Sequence, residues 1–187
     1  MKKIKVIALF GPAGAGKDAI QKVMVENHGL HGIISHTTRP MRENEEEGLS
    51  YYFISEYEFA KMNERKAFLE YTVFNHWWYG TSIESLSEDE INIGVFNIDG
   101  VKALLADDRI EVIPVYVSVS NKIRLIRQLN REKEPNCLEI CRRFLADDYD
   151  FRMTIDFEYD TILNNSDISN AEKDLMSLMI KERKRLL

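Results

Sequence analysis

The sequence predicts an α/β protein with a parallel sheet flanked by helices, and three features of its 187 residues support that fold class. Residues 5–10 are continuously apolar, as in a strand buried on both faces of a parallel sheet. Strand-like and helical patterns then alternate along most of the chain. The alternation is interrupted between residues 33 and 86 by short strands and polar loops, which we interpret as a subdomain that folds over the ligand site.

The interrupting stretch has short elements of its own. Residues 33–38 and 51–54 favour strands, and the acidic run between them, residues 43–47, is most simply a solvated surface. Ser55 followed by Glu58 fits a capping box, which predicts a helix through about residue 65. Beyond it we expect a strand over 68–74, an aromatic cluster over 77–79 and a short helix from Ser82.

The remaining elements follow the α/β alternation. We predict strands over residues 92–98, 111–119 and 160–163, and helices over 18–28, 100–107, 121–130, 138–151 and from 169 to the end. Pro114 weakens the second of these strands because proline cannot donate to a sheet ladder. In such a fold the ligand lies at the carboxyl ends of the strands.

Composition limits the kinds of partner that the protein can bind. A formal net charge of −6 argues against binding to nucleic acid or to anionic membranes. Because no stretch approaches the roughly 20 apolar residues of a membrane span, we expect a cytoplasmic protein. Cys137 and Cys141 lie four residues apart in a predicted helix, which leaves a metal short of ligands, and we expect both to be small buried hydrophobes.

A glycine-rich turn follows the first strand and reads Gly11-Pro12-Ala13-Gly14-Ala15-Gly16-Lys17-Asp18, which fits the pattern G-x-x-x-x-G-K. Glycines let successive backbone N–H groups curl around a phosphate, Lys17 supplies a mobile charge, and the following helix adds its N-terminal dipole. We therefore expect this loop to bind polyphosphate, although glycine is also common in ordinary turns. The last position of the pattern, normally a Ser or Thr that ligates Mg²⁺, is Asp18.

Several further blocks resemble one known family, the guanylate kinases, over nearly the whole chain. With residues 11–17 they are Ser35-His36-Thr37-Thr38-Arg39-Pro40-Met41-Arg42-Glu43, Gly48-Leu49-Ser50-Tyr51-Tyr52-Phe53, Phe68-Leu69-Glu70-Tyr71, Tyr79-Gly80-Thr81 and Ile98-Asp99. The block S-x-T-T-R-x-x-R is much more specific than the phosphate loop. The resemblance implies a P-loop NTPase-type core (residues 1–32, 87–125 and 146–187), a GMP-binding α+β insertion (33–86) and a helical lid (about 126–145).

Two arginines and two tyrosines form a candidate site for a phosphate monoester. Arg39 and Arg42 lie three residues apart after a strand end, and Tyr51 and Tyr79 offer hydroxyl donors. Taken singly, each arginine is more often a surface ion-pair partner. The resemblance implies that all four hold the acceptor's phosphate, and it adds Asp99 to the GMP-binding residues.

Glu70 is a candidate for reading the base, since it lies in an otherwise apolar strand where an unpaired carboxylate would be costly. Guanine presents N1–H and N2–H₂ as a paired donor edge that a carboxylate can accept. Following the family's positions, the hydroxyls of Ser35 and Thr81 would donate to guanine O6. The plain alternative is that Glu70 only pairs with a neighbouring Arg or Lys.

Arginines also cluster between residues 124 and 143, at Arg124, Arg127, Arg131, Arg142 and Arg143. Their ordinary role would be to solvate helices. The resemblance implies that Arg131 and Arg143 close over the triphosphate. Transfer between two anions needs cations more than a base, so Lys17, Arg39, Arg131 and Arg143 are the expected catalytic residues, and no general base is assigned.

Two positions depart from the family's pattern. Asp18 replaces Ser or Thr, and Asn97 stands where the family usually has Asp, so we hypothesise that a carboxylate has moved to the phosphate loop and still serves Mg²⁺, directly or through water. Alternatively, Asp18 only stabilises the helix start, or its charge repels ATP and the site is inactive. The second departure, Trp77-Trp78, is expected to reshape the sugar pocket.

The expected function is phosphorylation of GMP or dGMP by ATP, with Mg²⁺ as cofactor and direct in-line transfer. Two alternatives stay open. One is a broader deoxynucleoside monophosphate kinase. The other is a catalytically silent guanylate kinase-like module that binds a phosphorylated protein partner.

Overall fold

The computed structural model of the chain describes residues 2–42, 45–74, 76–131 and 133–185. Its helices are α1 (Lys17–His28), α2 (Glu56–Glu64), α3 (Ile98–Leu105), α4 (Asn121–Leu129), α5 (Cys137–Met153) and α6 (Ile168–Arg185). Its strands are β1 (Ile4–Phe10), β2 (His31–Gly32), β3 (His36–Thr37), β4 (Tyr52–Phe53), β5 (Phe68–Phe74), β6 (Trp77–Ser82), β7 (Asn92–Val95), β8 (Ile110–Ser118) and β9 (Asp160–Leu163). Among these described residues, no helix has the length and apolar character needed to cross a membrane.

The described strands form two sheets. The larger has five parallel strands in the order β2-β7-β1-β8-β9, which confirms the predicted parallel sheet and makes β1 its centre. The smaller is a mixed sheet in the order β4-β3-β6-β5, built from the interrupting stretch. Leu9 pairs with Val95 on one side and Val115 on the other, so the carboxyl ends of three central strands meet beside residue 11.

Helices cover both faces of the larger sheet. Successive residues of β1 point to opposite faces, and on both faces they are apolar and need to be covered. Ile7 and Leu9 pack in a buried cluster with residues of α1 and α6, namely Ile20, Met24, Ala171 and Leu175. Val6, Ala8 and Phe10 pack on the other face with residues of α3, namely Val101 and Leu104. Burial of each large apolar side chain stabilises the fold by about 1.5–3 kcal/mol, so this double packing fixes β1 and the loop that follows it.

Two predicted segments differ from the structure. Of the short strand expected over residues 33–38, only β3 (His36–Thr37) is a strand, in the smaller sheet, and the unpredicted β2 precedes it in the larger sheet. The aromatic cluster at residues 77–79 is part of strand β6, and a single 3-10 turn, Ile83–Ser85, follows it. Pro114 does lie within β8, where it pairs with Ala8. The neighbouring β9 pairs with β8 only from Val115 onward, so Pro114 occupies an edge position that tolerates it.

The helix start predicted at residue 55 is confirmed. The Ser55 hydroxyl accepts a hydrogen bond from the Glu58 amide at 3.2 Å, and the Glu58 carboxylate accepts one from the Ser55 amide at 2.9 Å. These reciprocal bonds form the capping box, which satisfies two amides that the helix itself leaves free.

The expectation of buried cysteines is wrong. Cys137 and Cys141 lie on α5, and both are exposed. No residue of this helix, all of which is described, is fully buried. The helix therefore lies on the surface, and the four-residue spacing of the cysteines reflects one helix face rather than a core position.

Candidate active site

The loop after β1 adopts the backbone that its glycines predict. Gly14 and Gly16 have φ values of 81° and 87°, in the left-handed region that favours glycine. A Cβ atom at Gly14 would lie 2.6 Å from the carbonyl oxygen of Arg124 in α4. Because α4 approaches so closely, position 14 has no room for a side chain.

Residues of neighbouring elements stabilise the loop by donating hydrogen bonds to its carbonyl oxygens. Asn164, just after β9, donates from Nδ2 to the Ala15 carbonyl at 2.7 Å. Gln128 donates to the Ala13 carbonyl at 3.3 Å, and Arg127 makes longer bonds of 3.4 Å to the carbonyls of Gly14 and Ala15. Arg127 therefore has more than the ordinary role of solvating its helix. No local sequence pattern marked Asn164 or Gln128.

Lys17, the first residue of α1, folds back onto the loop. Its Nζ donates to the carbonyl oxygens of Gly11 at 2.7 Å and Pro12 at 3.2 Å. Burial lowers the pKa of Lys17, while the nearby carboxylates of Asp18 and Asp147 oppose that shift. The lysine thus lies where the loop's cation is expected.

A carboxylate from α5 also reaches the loop. The Ala13 amide donates a hydrogen bond to Oδ2 of Asp147 at 2.7 Å, across 134 residues of sequence. Asp147 carries no sequence signal of this contact, because a carboxylate in an acidic helix shows no pattern that would link it to a distant loop.

The predicted phosphate-monoester site is assembled around Arg39, which is only 8% exposed. Its guanidinium lies 5.6 Å from the centroid of the Tyr51 ring, and Tyr79 is one of the groups that raise the pKa of Arg39. The two tyrosine rings are 6.0 Å apart. Three of the four predicted residues are therefore in mutual contact.

Glu45 also belongs to this cluster, and its contacts contradict the expectation that the acidic run is simply a solvated surface. Its Oε1 accepts from Arg39 Nη2 at 2.7 Å, and its Oε2 accepts from the Arg42 amide at 2.9 Å. The hydrogen bond from Arg39 holds the pKa of Glu45 below its ordinary value. The acidic run is thus not simply a solvated surface, since Glu45 is 17% exposed in its side chain and orients Arg39. Residues 43 and 44 of the run lie outside the described residues.

The predicted base-reading residues lie together on the small sheet. Ser35 Oγ lies 3.0 Å from Thr81 Oγ1, and the hydroxyl and amide of Thr81 both act to lower the pKa of the neighbouring Glu70 carboxyl. Burial raises the pKa of Glu70, and the two Thr81 groups only partly offset it. No ion pair involves Glu70 in the part of the chain that the structure describes, which disfavours the plain alternative of an Arg or Lys partner.

Glu70 lies beside the first turn of α3, where the remaining candidates lie. A Cβ at Gly100 would be 3.3 Å from Glu70 Oε2, and Asp99 is exposed beside it. Asn97 caps this helix, since its Oδ1 accepts from the Gly100 amide at 2.6 Å. One of the two expected metal ligands therefore already has a structural role.

Asp18, the other expected metal ligand, is exposed on the first turn of α1. Burial raises the pKa of Tyr51, and the negative charge of Asp18 adds to that shift. Asp18 thus acts electrostatically on the phosphate-monoester cluster. Within the described ranges, no group of three or more His, Cys, Asp or Glu side chains forms a complete metal site.

Three of the predicted arginines surround one cleft of about 120 Å³. Arg42, Arg131 and Arg143 line it together with Gln128, Asn136, Glu139 and Ile140. Arg142 differs, since it is exposed and pairs with Glu139 through two bonds of 2.8 Å, as its ordinary surface role predicts. Arg124 also departs from that role, because it is 3% exposed and its guanidinium lies 3.8 Å from the centre of the Phe144 ring.

Trp78, one of the two tryptophans expected to reshape the sugar pocket, packs within the small subdomain. Its ring packs against Phe59 of α2 at 5.6 Å and Tyr71 of β5 at 5.9 Å between centroids. Since adjacent residues of a strand face opposite sides, Trp78 points away from the face that carries Tyr79 and Thr81. It belongs to the core of the small sheet.

The phosphate loop at the carboxyl end of a central parallel strand, faced by a small second sheet, defines a P-loop α/β protein of the nucleotide-binding class. A family model described as guanylate kinase matches residues 3–182. The chain belongs to the guanylate kinase family.

Individual relatives agree with this membership. The chain is 32% identical to a guanylate kinase of Wigglesworthia glossinidia brevipalpis, with 100% of this chain and 92% of that protein covered. It is 30% identical to a guanylate kinase of Schizosaccharomyces pombe, with 96% and 92% covered. It also shares the fold of the crystal structure of guanylate kinase from Anaplasma phagocytophilum, with a TM-score of 0.69, 17% identity, and 97% of this chain and 87% of that chain covered.

Proposed function

We propose that the chain catalyses the reaction of its family, the ATP-dependent phosphorylation of GMP to GDP, and accepts dGMP in the same way. The observation that carries the proposal is the half-buried Glu70 carboxylate, which faces Thr81 across the sheet and has no cationic partner among the described ion pairs. Such a group accepts the paired N1–H and N2–H₂ donors of guanine. Adenine, which offers an acceptor at N1, would leave it unpaired, a mismatch that polar sites reject by factors of roughly 10⁴.

The acceptor's phosphate would bind to Arg39, Arg42, Tyr51 and Tyr79. The buried guanidinium of Arg39 and its bond to Glu45 favour this role, because fixed donors lose little conformational freedom on binding. Ser35 and Thr81, whose hydroxyls lie within 3.0 Å of each other, would turn their hydroxyl protons toward guanine O6, and Asp99 would lie beside the base. Residues 33–86 would thus form the GMP-binding subdomain.

The donor, ATP, would place its phosphates in residues 11–18. Lys17 would turn from the loop carbonyls toward the β- and γ-phosphates. Arg131 and Arg143, from a lid over residues 126–145, would join Arg39 in stabilising the phosphoryl group during in-line transfer, and the cleft they share with Arg42 supports that arrangement. No general base is needed, and closure of the lid and subdomain would exclude water.

Magnesium would supply charge neutralisation for the phosphates when bound. The exposed Asp18 carboxylate is an oxygen donor of the kind that Mg²⁺ prefers, and Mg²⁺ usually keeps several waters and phosphate ligands. Asn97 would act through water, since its oxygen already accepts the Gly100 amide. The cytoplasmic location stays a prediction from the sequence.

A coupled assay of ADP formation across GMP, dGMP, dTMP and dAMP, with Mg²⁺ and with EDTA, tests the proposal. We expect Mg²⁺-dependent turnover of GMP and dGMP only, abolished by Lys17→Ala and retained by Lys22→Ala, a change on the exposed face of the same helix. Turnover of all four acceptors would favour the broader deoxynucleoside kinase. No turnover together with no ATP binding would favour the silent module and contradict the proposal.

A further inference from the structure

We propose that Asp147 competes with the phosphates of the donor for the glycine-rich loop, so that donor binding must displace its carboxylate. Asp147 would then be a positioning residue that joins α5 to the loop and releases this contact when the donor arrives. The inference rests on the proposed function, because it takes residues 11–18 as the donor site.

In this contact the Asp147 carboxylate binds a loop amide as a bound phosphate would. A carboxylate oxygen of Asp147 accepts the Ala13 amide at 2.7 Å, the short distance typical of a hydrogen bond to an ionised acceptor. Ala13 lies within the loop whose amides are expected to hold the phosphates. A phosphate oxygen and the Asp147 carboxylate cannot accept that same N–H group together at full strength.

The cation of the loop, Lys17, also forms hydrogen bonds with groups of the protein itself. Lys17 donates to the carbonyls of Gly11 and Pro12, and Asp147 is one of the carboxylates whose charge acts on it. An incoming polyphosphate therefore has to replace two sets of intramolecular interactions, one at the Ala13 amide and one at Lys17.

The position of Asp147 is fixed by aromatic anchors on the same face of α5. Phe144 precedes it by three residues, and its carbonyl accepts from Arg124 Nη2 at 2.9 Å while its ring packs under that guanidinium. Phe151 follows by four residues and packs against Phe10 and Tyr116, with centroids 6.4 and 5.7 Å apart. Because spacings of three and four residues share one helix face, both anchors aim Asp147 at the loop.

An acceptor held in this way acts at a high effective concentration and raises the apparent dissociation constant of any competing anion. Its release has a second consequence, because Arg143 lies one turn before Asp147 on the same helix. A donor that displaces Asp147 removes one contact between α5 and the loop, while Phe144 and Phe151 still anchor the helix. Donor entry therefore changes the charge and contacts near Arg143.

Calorimetric titration with ATP tests the inference on the wild type and three variants: Asp147→Ala, Asp147→Asn and Asp148→Asn. Asp148 is the matched control, because it carries the same charge one residue away but pairs with Arg152 at 3.2 Å. We expect the ATP dissociation constant to fall about tenfold for Asp147→Ala, less for Asp147→Asn, and less than twofold for Asp148→Asn. The KM for ATP should fall in proportion, whereas the KM for GMP should not change.

Amide exchange of Ala13 without nucleotide gives a second readout. We expect protection in the wild type and Asp148→Asn, and its loss in Asp147→Ala. A damaged fold would not tighten ATP binding, and Asp147→Asn preserves the side chain's size if the alanine variant unfolds. ATP binding that is equal in all four proteins would overturn this inference alone, whereas no ATP binding in any of them would overturn the proposed function as well.

Discussion

Glu70 and Thr81 stand directly opposite each other in the antiparallel pair of β5 and β6, and the hydroxyl and amide of Thr81 both favour the ionised form of the Glu70 carboxyl. Cross-strand register places these side chains together on one face of the small sheet. The carboxylate is therefore held in one orientation before a ligand arrives. Its preorganisation is the basis for selecting one purine over the other.

Replacing Glu70 with glutamine should weaken recognition of guanine. Glutamine presents an NH₂ donor toward the donor edge of the base and removes a charged acceptor, whose hydrogen bonds are worth about 1.5–3 kcal/mol. We expect kcat/KM for GMP to fall by about 10- to 150-fold, with the KM for ATP unchanged. Steady-state kinetics check this, and Glu64→Gln, an exposed change on α2, serves as control. Equal GMP kinetics in the two variants would be inconsistent with a base contact at Glu70.

Burial raises the pKa of Glu70 above its ordinary value, which predicts a pH dependence of GMP binding. Above the raised pKa the carboxylate is ionised and accepts the guanine donors. As pH falls through that pKa it takes up a proton and loses acceptor capacity, so the affinity for GMP should decrease. Titration with guanosine, which lacks the titrating phosphate, should show the same loss in the wild type and none in Glu70→Gln. A matching loss in both proteins would assign the effect to another group.

The hypothesis of a transposed carboxylate predicts a reciprocal rescue. Asp18→Ser should lower activity and raise the Mg²⁺ concentration needed for half-maximal rate by about tenfold or more. Asn97→Asp should keep the helix cap, since both residues are good N-caps. Combined with Asp18→Ser, it should restore much of the Mg²⁺ response. A double variant no better than either single variant would remove this explanation of the two departures.

Gly14→Ala should destabilise the protein more than Gly29→Ala. Both glycines have positive φ, so alanine at either position incurs a backbone cost of about 1–2 kcal/mol. Only at position 14 would the added methyl also meet backbone, at 2.6 Å from the Arg124 carbonyl, whereas nothing lies within 4 Å at position 29. Urea unfolding should therefore give a larger loss for Gly14→Ala, accompanied by weaker ATP binding. Equal losses would mean that α4 does not constrain the loop.

Much of the fold was predictable because its signals are local. The apolar run before Gly11, the capping box at Ser55 and the glycine spacing each specify structure within a few residues, and the structure contains all three. The grouping of Arg39, Tyr51 and Tyr79 followed from the family's blocks, and their contacts agree with it.

The carboxylates that contact the predicted phosphate-binding groups were not predictable in the same way. Asp147 meets Ala13 across 134 residues, and Glu45 was hidden in an acidic run that resembles solvated surface. Arg124 belongs to a run of arginines whose ordinary role would be to solvate helices, although the packing of α5 against α4 buries it. These roles arise from long-range packing, which no residue spacing encodes.

The most direct test of the central claim is a crystal structure of the protein with GMP bound. We expect the guanine N1–H and N2–H₂ groups to donate to Glu70, with O6 near Ser35 and Thr81 and the phosphate against Arg39, Tyr51 and Tyr79. A base bound away from Glu70, or no nucleotide bound at saturating GMP, would contradict it.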